Sequence, residues 1–310
     1  MKKVRSISLC CLFALLLIGC KSEDSIDVTE PSESNEKVGV LLVNHGSHSP
    51  TWRQMLLDVE DNVREEILAN PRITELKTAF MEYNEPSIAT QMKWFDENGF
   101  TDVIIVPIFL TVSSHYSHDI PVIVGLSSDP KITESLAEEE IEVYKSKARA
   151  TITPPLDYTT LLKKNVARRV EALSDDSDNE AVLLVAYGDE QYNQQWEEMV
   201  EEIGQYLKIK TGHEMIAYAW CGHIVEYSSD PTTEGIEKLF EFEDNVIVIP
   251  VLVANDEHFQ GEIIQDGVNA ASNTSHVKYI KDAILPHKKL EQRVVKILFE
   301  KLETIRVADV

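Results

Sequence analysis

The chain has 310 residues, 43% of them hydrophobic and 26% charged, with 12 glycines and 12 prolines. This composition excludes a disordered or collagen-like chain, and the length accommodates two domains. Fifty-three acidic residues against 29 basic ones give a formal charge of −24. No basic stripe remains to neutralise phosphates, so nucleic acid is not an expected partner and cations are drawn in preference to anions.

The N-terminus carries the clearest local signal. Lys2, Lys3 and Arg5 precede an apolar run, Ile7–Ile18, that is too short for a comfortable membrane span and ends in Leu17-Ile18-Gly19-Cys20. The pattern resembles a bacterial lipoprotein signal. That resemblance implies cleavage before Cys20, lipidation of Cys20, and an extracytoplasmic protein held by its lipid to a bacterial membrane. Residues 1–19 then form the signal peptide. Residues 20–37, polar, acidic and without periodicity, are expected to be a disordered tether. Of the four cysteines only Cys221 lies in the body, which excludes a disulfide framework or a cysteine zinc site there.

The body alternates strand and helix. Val38–Val43 is a continuous apolar run closed by Asn44-His45-Gly46, the mark of a buried parallel strand. Pro50–Leu68 has helical periodicity, Ile73–Met81 reads as a second strand, and Pro86–Phe95 as a helix opened by proline. Asp102–Leu110 is a third buried strand, followed by a loop with serines and histidines and a short helix from Asp119. A fourth strand is expected within Ile141–Ile152 and a closing helix over Tyr158–Leu173.

After an acidic linker the order recurs. Strands are expected at Ala181–Val185, Met215–Trp220, Asn245–Val253 and near Val277–Ile280. Helices are expected through Trp196–Leu207 and Leu290–Ile305. Gly46 and Gly188 open equivalent loops, and Pro107 precedes His115 by the same eight residues that separate Pro250 from His258. A tandem repeat follows, with lobes at 38–174 and 181–310. The fold class is α/β: two lobes, each a parallel sheet covered by helices on both faces, with ligands at the carboxyl ends of the strands.

The histidines single out the first lobe. His45 and His115 each follow a buried strand, at the edge where parallel sheets bind ligands, and Glu82 ends the strand between them. Two imidazoles and a carboxylate on rigid strand ends make a divalent-metal constellation. Their side-chain donors are expected within roughly 6–8 Å of each other in one cleft.

The surrounding segments carry a resemblance. Leu41-Leu42-Val43-Asn44-His45-Gly46-Ser47, Ala79-Phe80-Met81-Glu82 with Pro86-Ser87-Ile88, and Val106-Pro107-Ile108-Phe109-Leu110 with His115 and Asp119-Ile120-Pro121 resemble the class II tetrapyrrole chelatases. They are most similar to the two-domain sirohydrochlorin cobaltochelatases. The resemblance implies insertion of Co²⁺ into sirohydrochlorin, as part of cobalamin biosynthesis, with His45, Glu82 and His115 as catalytic and metal-binding residues. Imidazole accepts Fe²⁺ and Ni²⁺ as well, so the metal is not fixed by the residues. Backbone N–H groups at the helix starts after Ser47 and around Ser113 and Ser114 are expected to hold the carboxylates of the macrocycle, in a cleft locally less negative than the whole chain.

The second half departs from this pattern. Tyr187 stands where His45 stands, Trp220-Cys221-Gly222-His223 replaces the segment bearing Glu82, and only His258 matches His115. The second lobe is therefore expected to form a wall over the macrocycle lined by Tyr187, His258 and Trp220, although Trp220 on a strand equally suits a core. The half-complete second lobe and the export signal also suit an alternative, a non-catalytic lipoprotein that binds a tetrapyrrole or metal for uptake.

Overall fold

The computed structural model describes residues 36–156 and 159–308. The expected signal peptide, Cys20, most of the tether and Tyr158 lie outside them. Lys37, at the end of the expected tether, is held to the body by a bond from its backbone N–H to Thr101 Oγ1 (3.0 Å).

The first sheet contains β1 (Val38–Asn44), β2 (Ile73–Phe80), β3 (Asp102–Pro107) and β4 (Arg149–Ile152) in spatial order β2-β1-β3-β4. The second repeats that order with β5 (Glu180–Ala186), β6 (Ile216–Trp220), β7 (Asn245–Val251) and β8 (Val277–Tyr279), as β6-β5-β7-β8. All the pairings are parallel. The first lobe carries α1 (Pro50–Leu68), α2 (Ile88–Glu97), α3 (Ile120–Ile123), α4 (Pro130–Glu138) and α5 (Thr159–Leu173). The second carries α6 (Asn193–Thr211), α7 (Asp230–Leu239), α8 (Ile264–Ala270) and α9 (Lys288–Ala308).

The continuous apolar runs become central strands buried on both faces. In β1 and β3, Val40, Leu42, Ile104 and Val106 face a core between the sheets, while Leu41, Val43, Val103 and Ile105 face an outer core under α2 and α3. Val182, Leu184, Ile247 and Ile249 of the second sheet join the same inner core. The closing helices cross over. The first lobe's α5 packs on α6 and β7 of the second, and α9 returns to pack on α1 and β3 of the first. Arg169 on α5 donates to Pro250 O (2.8 Å) and pairs with Asp282, and Arg293 on α9 donates to Leu156 O (3.2 Å).

Five elements differ from the sequence reading. The fourth strand begins only at Arg149, because the preceding segment wraps one carboxylate: Tyr144, Ser146 and the backbone N–H groups of Lys147 and Ala148 all donate to Asp96 at 2.7–2.9 Å. Donors satisfied this way have no need of a ladder partner. Pro86 precedes α2 and does not open it; Ser87 caps the helix by accepting from Thr90 N–H. Helices α4, α7 and α8 were not foreseen, although Asp129-Pro130 and Asp230-Pro231 are helix-opening pairs.

In each lobe the chain leaves the first strand toward one side and comes back to the other. The crevice at such a reversal, at the carboxyl ends of β1 and β3, is where open parallel sheets hold ligands.

Candidate metal centre

His45 and Glu82 are fixed by the zipping of two strand ends. Beyond the last paired residues of β1 and β2, Met81 N–H donates to Asn44 O (2.9 Å) and Glu82 N–H to His45 O (2.8 Å). Gly46 makes this closure sterically feasible: it has φ +112°, and a Cβ there would lie 2.0 Å from the Glu82 carbonyl oxygen. Ser49 then caps α1 and Pro50 starts it. His115 opens a wide π-helical turn, His115–Asp119, in which Ile120 N–H reaches back to His115 O.

The two imidazole rings meet edge to face with centroids 4.8 Å apart. One donor atom from each of His45, Glu82 and His115 lies within 4.8 Å of the other two, inside the expected distance. His45 Nδ1 lies 3.1 Å from Gly46 O. A carbonyl only accepts, so Nδ1 carries the proton and Nε2, 3.8 Å from Glu82 Oε1, offers its lone pair. His115 Nδ1 is bonded to Asp119 Oδ2 at 2.7 Å, which likewise aims Nε2 outward. Orientation of a ligand imidazole through its second nitrogen is the usual support of metal-binding histidine.

The electrostatics of the two rings differ. Burial, reinforced by the neighbouring His115, holds His45 below the ordinary histidine value. Burial also acts to lower His115, but the hydrogen bond and charge of Asp119 outweigh it and raise the value. His45 is therefore the neutral base at physiological pH, and His115 the ring that gives up its proton later. Asp119 was quoted in the sequence without a role; its i,i+4 spacing from His115 was the available signal.

The serines do something other than expected. Ser47 Oγ donates to Asp256, and its backbone N–H donates to Asn84 Oδ1 (3.0 Å). Ser114 N–H and Oγ both donate to Asp189 Oδ2 at 2.9 Å. Ser113 is buried and its Oγ accepts from Tyr116 N–H (3.3 Å). These groups are thus engaged within the protein and are not free to grip macrocycle carboxylates. The Asp256–Ser47 and Asp189–Ser114 pairs instead clasp the lobes on both sides of the centre. The expected less negative cleft is not found either. Glu82, Asp119, Asp189 and Asp256 lie at the strand ends, and among the described residues no lysine or arginine forms an ion pair with any of them.

The second lobe repeats the scaffold without the donors. Cys221 N–H and Gly222 N–H bond Ala186 O and Tyr187 O, both at 2.9 Å, the counterparts of the Met81 and Glu82 bonds. Gly222 therefore stands in the register position of Glu82. A Cβ on it would fall 2.7 Å from the Tyr187 ring, so that ring covers the position where a carboxylate side chain would begin. His258 keeps the wide turn and an i,i+4 partner, Glu262, with Nδ1 2.9 Å from Oε2, but its side chain is 57% exposed. Trp220 packs on Trp196 and Tyr218 against the inner core and is not part of the wall. Tyr187 packs on Phe259 and His223 and approaches Tyr227 with its hydroxyl, at 3.4 Å. Tyr83, beside His45, and Tyr227, beside His258, were passed over by the sequence reading.

Known proteins resemble this chain in sequence over the first lobe and in fold over both lobes. A family model described as CbiX matches residues 39–173. The sirohydrochlorin cobaltochelatase of Methanococcoides burtonii is 30% identical over 135 residues, 44% of this chain and 95% of that one. That of Saccharolobus solfataricus is 28% identical over 133 residues, 43% of this chain and 93% of its own. The sirohydrochlorin chelatase SirB from Bacillus subtilis subspecies spizizenii, in complex with cobalt, superposes with a TM-score of 0.58 at 17% identity, covering 86% of this chain and 96% of that one. CbiX, the terminal enzyme for siroheme biosynthesis in denitrifying bacteria, superposes at 0.52 and 13% identity, over 84% and 98%. At these identities the solved structures speak to the fold: two lobes, four parallel strands each.

Proposed function

The chain belongs to the CbiX family, and from that premise we propose that it is a sirohydrochlorin chelatase that inserts Co²⁺ through its first lobe. The observation that carries the reading is the convergence of His45, Glu82 and His115 donor atoms within 4.8 Å of one another. The reaction exchanges two pyrrole N–H protons for one divalent ion. Neutral His45 offers Nε2 to the incoming metal or to a ring proton, and Glu82 beside it takes the second proton or balances the ion's charge. Asp119 holds His115 in the orientation that presents its free nitrogen. The carboxylate-rich cleft concentrates the cationic substrate. Fe²⁺ and Ni²⁺ suit the same donors.

The test is spectroscopic. Protein mixed with metal-free sirohydrochlorin and Co²⁺ should convert the ring's absorption spectrum faster than the uncatalysed mixture. Tight binding of the metallated ring without turnover would replace this reading by the alternative, capture of a tetrapyrrole for uptake, which the covered donor position in the second lobe favours.

The location is part of the proposal. Cleavage before Cys20 and lipidation of its thiol would anchor the protein outside the cytoplasm of a bacterium. No helix of the described residues is long and apolar enough to cross a membrane. Metabolic labelling with a fatty acid should mark the wild type in the membrane fraction, and Cys20→Ser should abolish the label. A labelled Cys20→Ser variant would remove the anchor from the account.

A further inference from the structure

The chelatase reading leaves open how the protein grips a flat polycarboxylate. The serines beside the centre are already engaged, Ser114 N–H with Asp189 and the Ser47 hydroxyl with Asp256, and the strand-end carboxylates of the cleft form no ion pair with lysine or arginine among the described residues. What the cleft does present is aromatic surface. Tyr83 is 59% exposed and Tyr227 45% exposed. Both follow the second strand of their lobe.

Both also hold backbones that a bulky side chain rarely adopts, with φ +60° at Tyr83 and +59° at Tyr227. Asn84 N–H bonds Glu82 O at 2.7 Å around Tyr83, a tight three-residue turn. Tyr227 N–H is tied to Gly222 O (3.1 Å). Strain of this kind persists where the surroundings impose it, and it gathers at ligand clamps.

The two phenols belong to one place. Tyr83 lies 6.3 Å from the His45 ring and 4.4 Å from the His48 ring. Tyr227 lies 6.2 Å from the Phe259 ring and 6.3 Å from the His258 ring. The lobes join between them: Ser47, one residue before His48, donates to Asp256, and Asp256 accepts the backbone N–H of His258 (2.9 Å), so the two phenols stand on either side of one inter-lobe contact.

We propose that Tyr83 and Tyr227 form an aromatic clamp, one jaw from each lobe, that binds the π-face of a planar tetrapyrrole and seats its centre over the His45–Glu82–His115 donors. The clamp takes its ligand by ring area and not by the carboxylates on the rim. It would therefore accept flat macrocycles that differ in side-chain acidity. The inference rests on the chelatase reading for the identity of the ring.

The experiment measures metal-free sirohydrochlorin binding by absorbance and, separately, the kinetics of Co²⁺ insertion, for Tyr83→Ala, Tyr227→Ala, the corresponding phenylalanine variants and the double alanine variant. Each alanine variant should weaken ring binding about tenfold, with the loss in KM and not in kcat. The phenylalanine variants should bind within about twofold of wild type, since the ring and not the hydroxyl makes the contact. Co²⁺ binding measured without macrocycle should be unchanged, which excludes a collapsed centre. Alanine variants that bind the ring as wild type does, or phenylalanine variants as weak as alanine, would overturn the clamp. If the wild type inserts no metal, the chelatase reading fails by itself, and the binding titration still decides the clamp.

Discussion

His45 and His115 are near neighbours whose protons are pulled in opposite directions. Burial keeps His45 below the ordinary value near 6.5, whereas Asp119 keeps His115 above it. A metal requires both nitrogens unprotonated, so His115 sets the acid limb of the reaction. Insertion should rise with pH through a midpoint above 6.5 and fall away below it. Asp119→Asn removes the charge that raises His115 and should move the midpoint down toward or below 6.5. Initial rates between about pH 5 and 9 check this, and an unmoved limb in Asp119→Asn would remove His115 from the titration. The same shifts act on stability with opposite signs. The contribution of His115 is full below 6.5 and lost as pH rises through its raised value, whereas that of His45 is present above 6.5 and lost as pH falls through its lowered one. Much of the site was legible at this scale. Imidazoles following buried strands point to a sheet edge, and His45, Glu82 and His115 meet there. Ser47, Ser113 and Ser114 were misread because their partners, Asp256, Asp189 and the Tyr116 amide, depend on how the lobes pack, which spacing along the chain does not record. Tyr83 and Tyr227 were invisible because exposed tyrosines in loops carry no periodic signal.

The strand-to-helix turn after β1 is the element on which the centre depends. An alanine at Gly46 would place Cβ 2.0 Å from a backbone oxygen of Glu82, at a φ of +112°. Either the turn or Glu82 has to move. Gly46→Ala should cost about 2–4 kcal/mol in stability and slow insertion roughly 100-fold, because a displacement near 1 Å at a catalytic group has that effect. Gly188 is the equivalent residue of the second lobe, with φ +82°, but its nearest neighbours are the side chains of Ile224 and Trp220. Gly188→Ala should therefore destabilise the protein and leave the rate per folded molecule near wild type. Urea unfolding and initial rates on both variants separate the two effects, and equal loss of rate in both would contradict a one-sided centre. Long apolar strands and amphipathic helices were readable from period alone. The fourth strand was overextended, since Tyr144, Ser146, Lys147 and Ala148 look like strand residues until Asp96 gathers their donors.

Duplication shows at the level of the whole molecule as two sheets of the same order, but the lobes are not independent. The exchange of α5 and α9 places Leu162, Val166, Leu298 and Leu302 in one core with residues of both sheets. Unfolding should accordingly be a single transition. Variants that keep only Trp94 in the first lobe or only Trp196 in the second should give the same urea midpoint, and separated midpoints would show that the exchanged helices do not couple the lobes. Within that joined frame, among the described residues, the first lobe alone has the full donor set. Tyr187 covers Gly222, His258 lies exposed with Glu262, and among the described residues only His45, Glu82 and His115 gather as a donor set. The central claim is thus that one lobe does the chemistry while the other closes the cleft. The most direct test is the initial rate of Co²⁺ insertion into sirohydrochlorin for His45→Ala, His115→Ala and His258→Ala side by side. The account predicts rates at the uncatalysed level for the first two and a rate within a fewfold of wild type for the third. A His258→Ala variant as inactive as His45→Ala, or a His45→Ala variant as active as wild type, would contradict it.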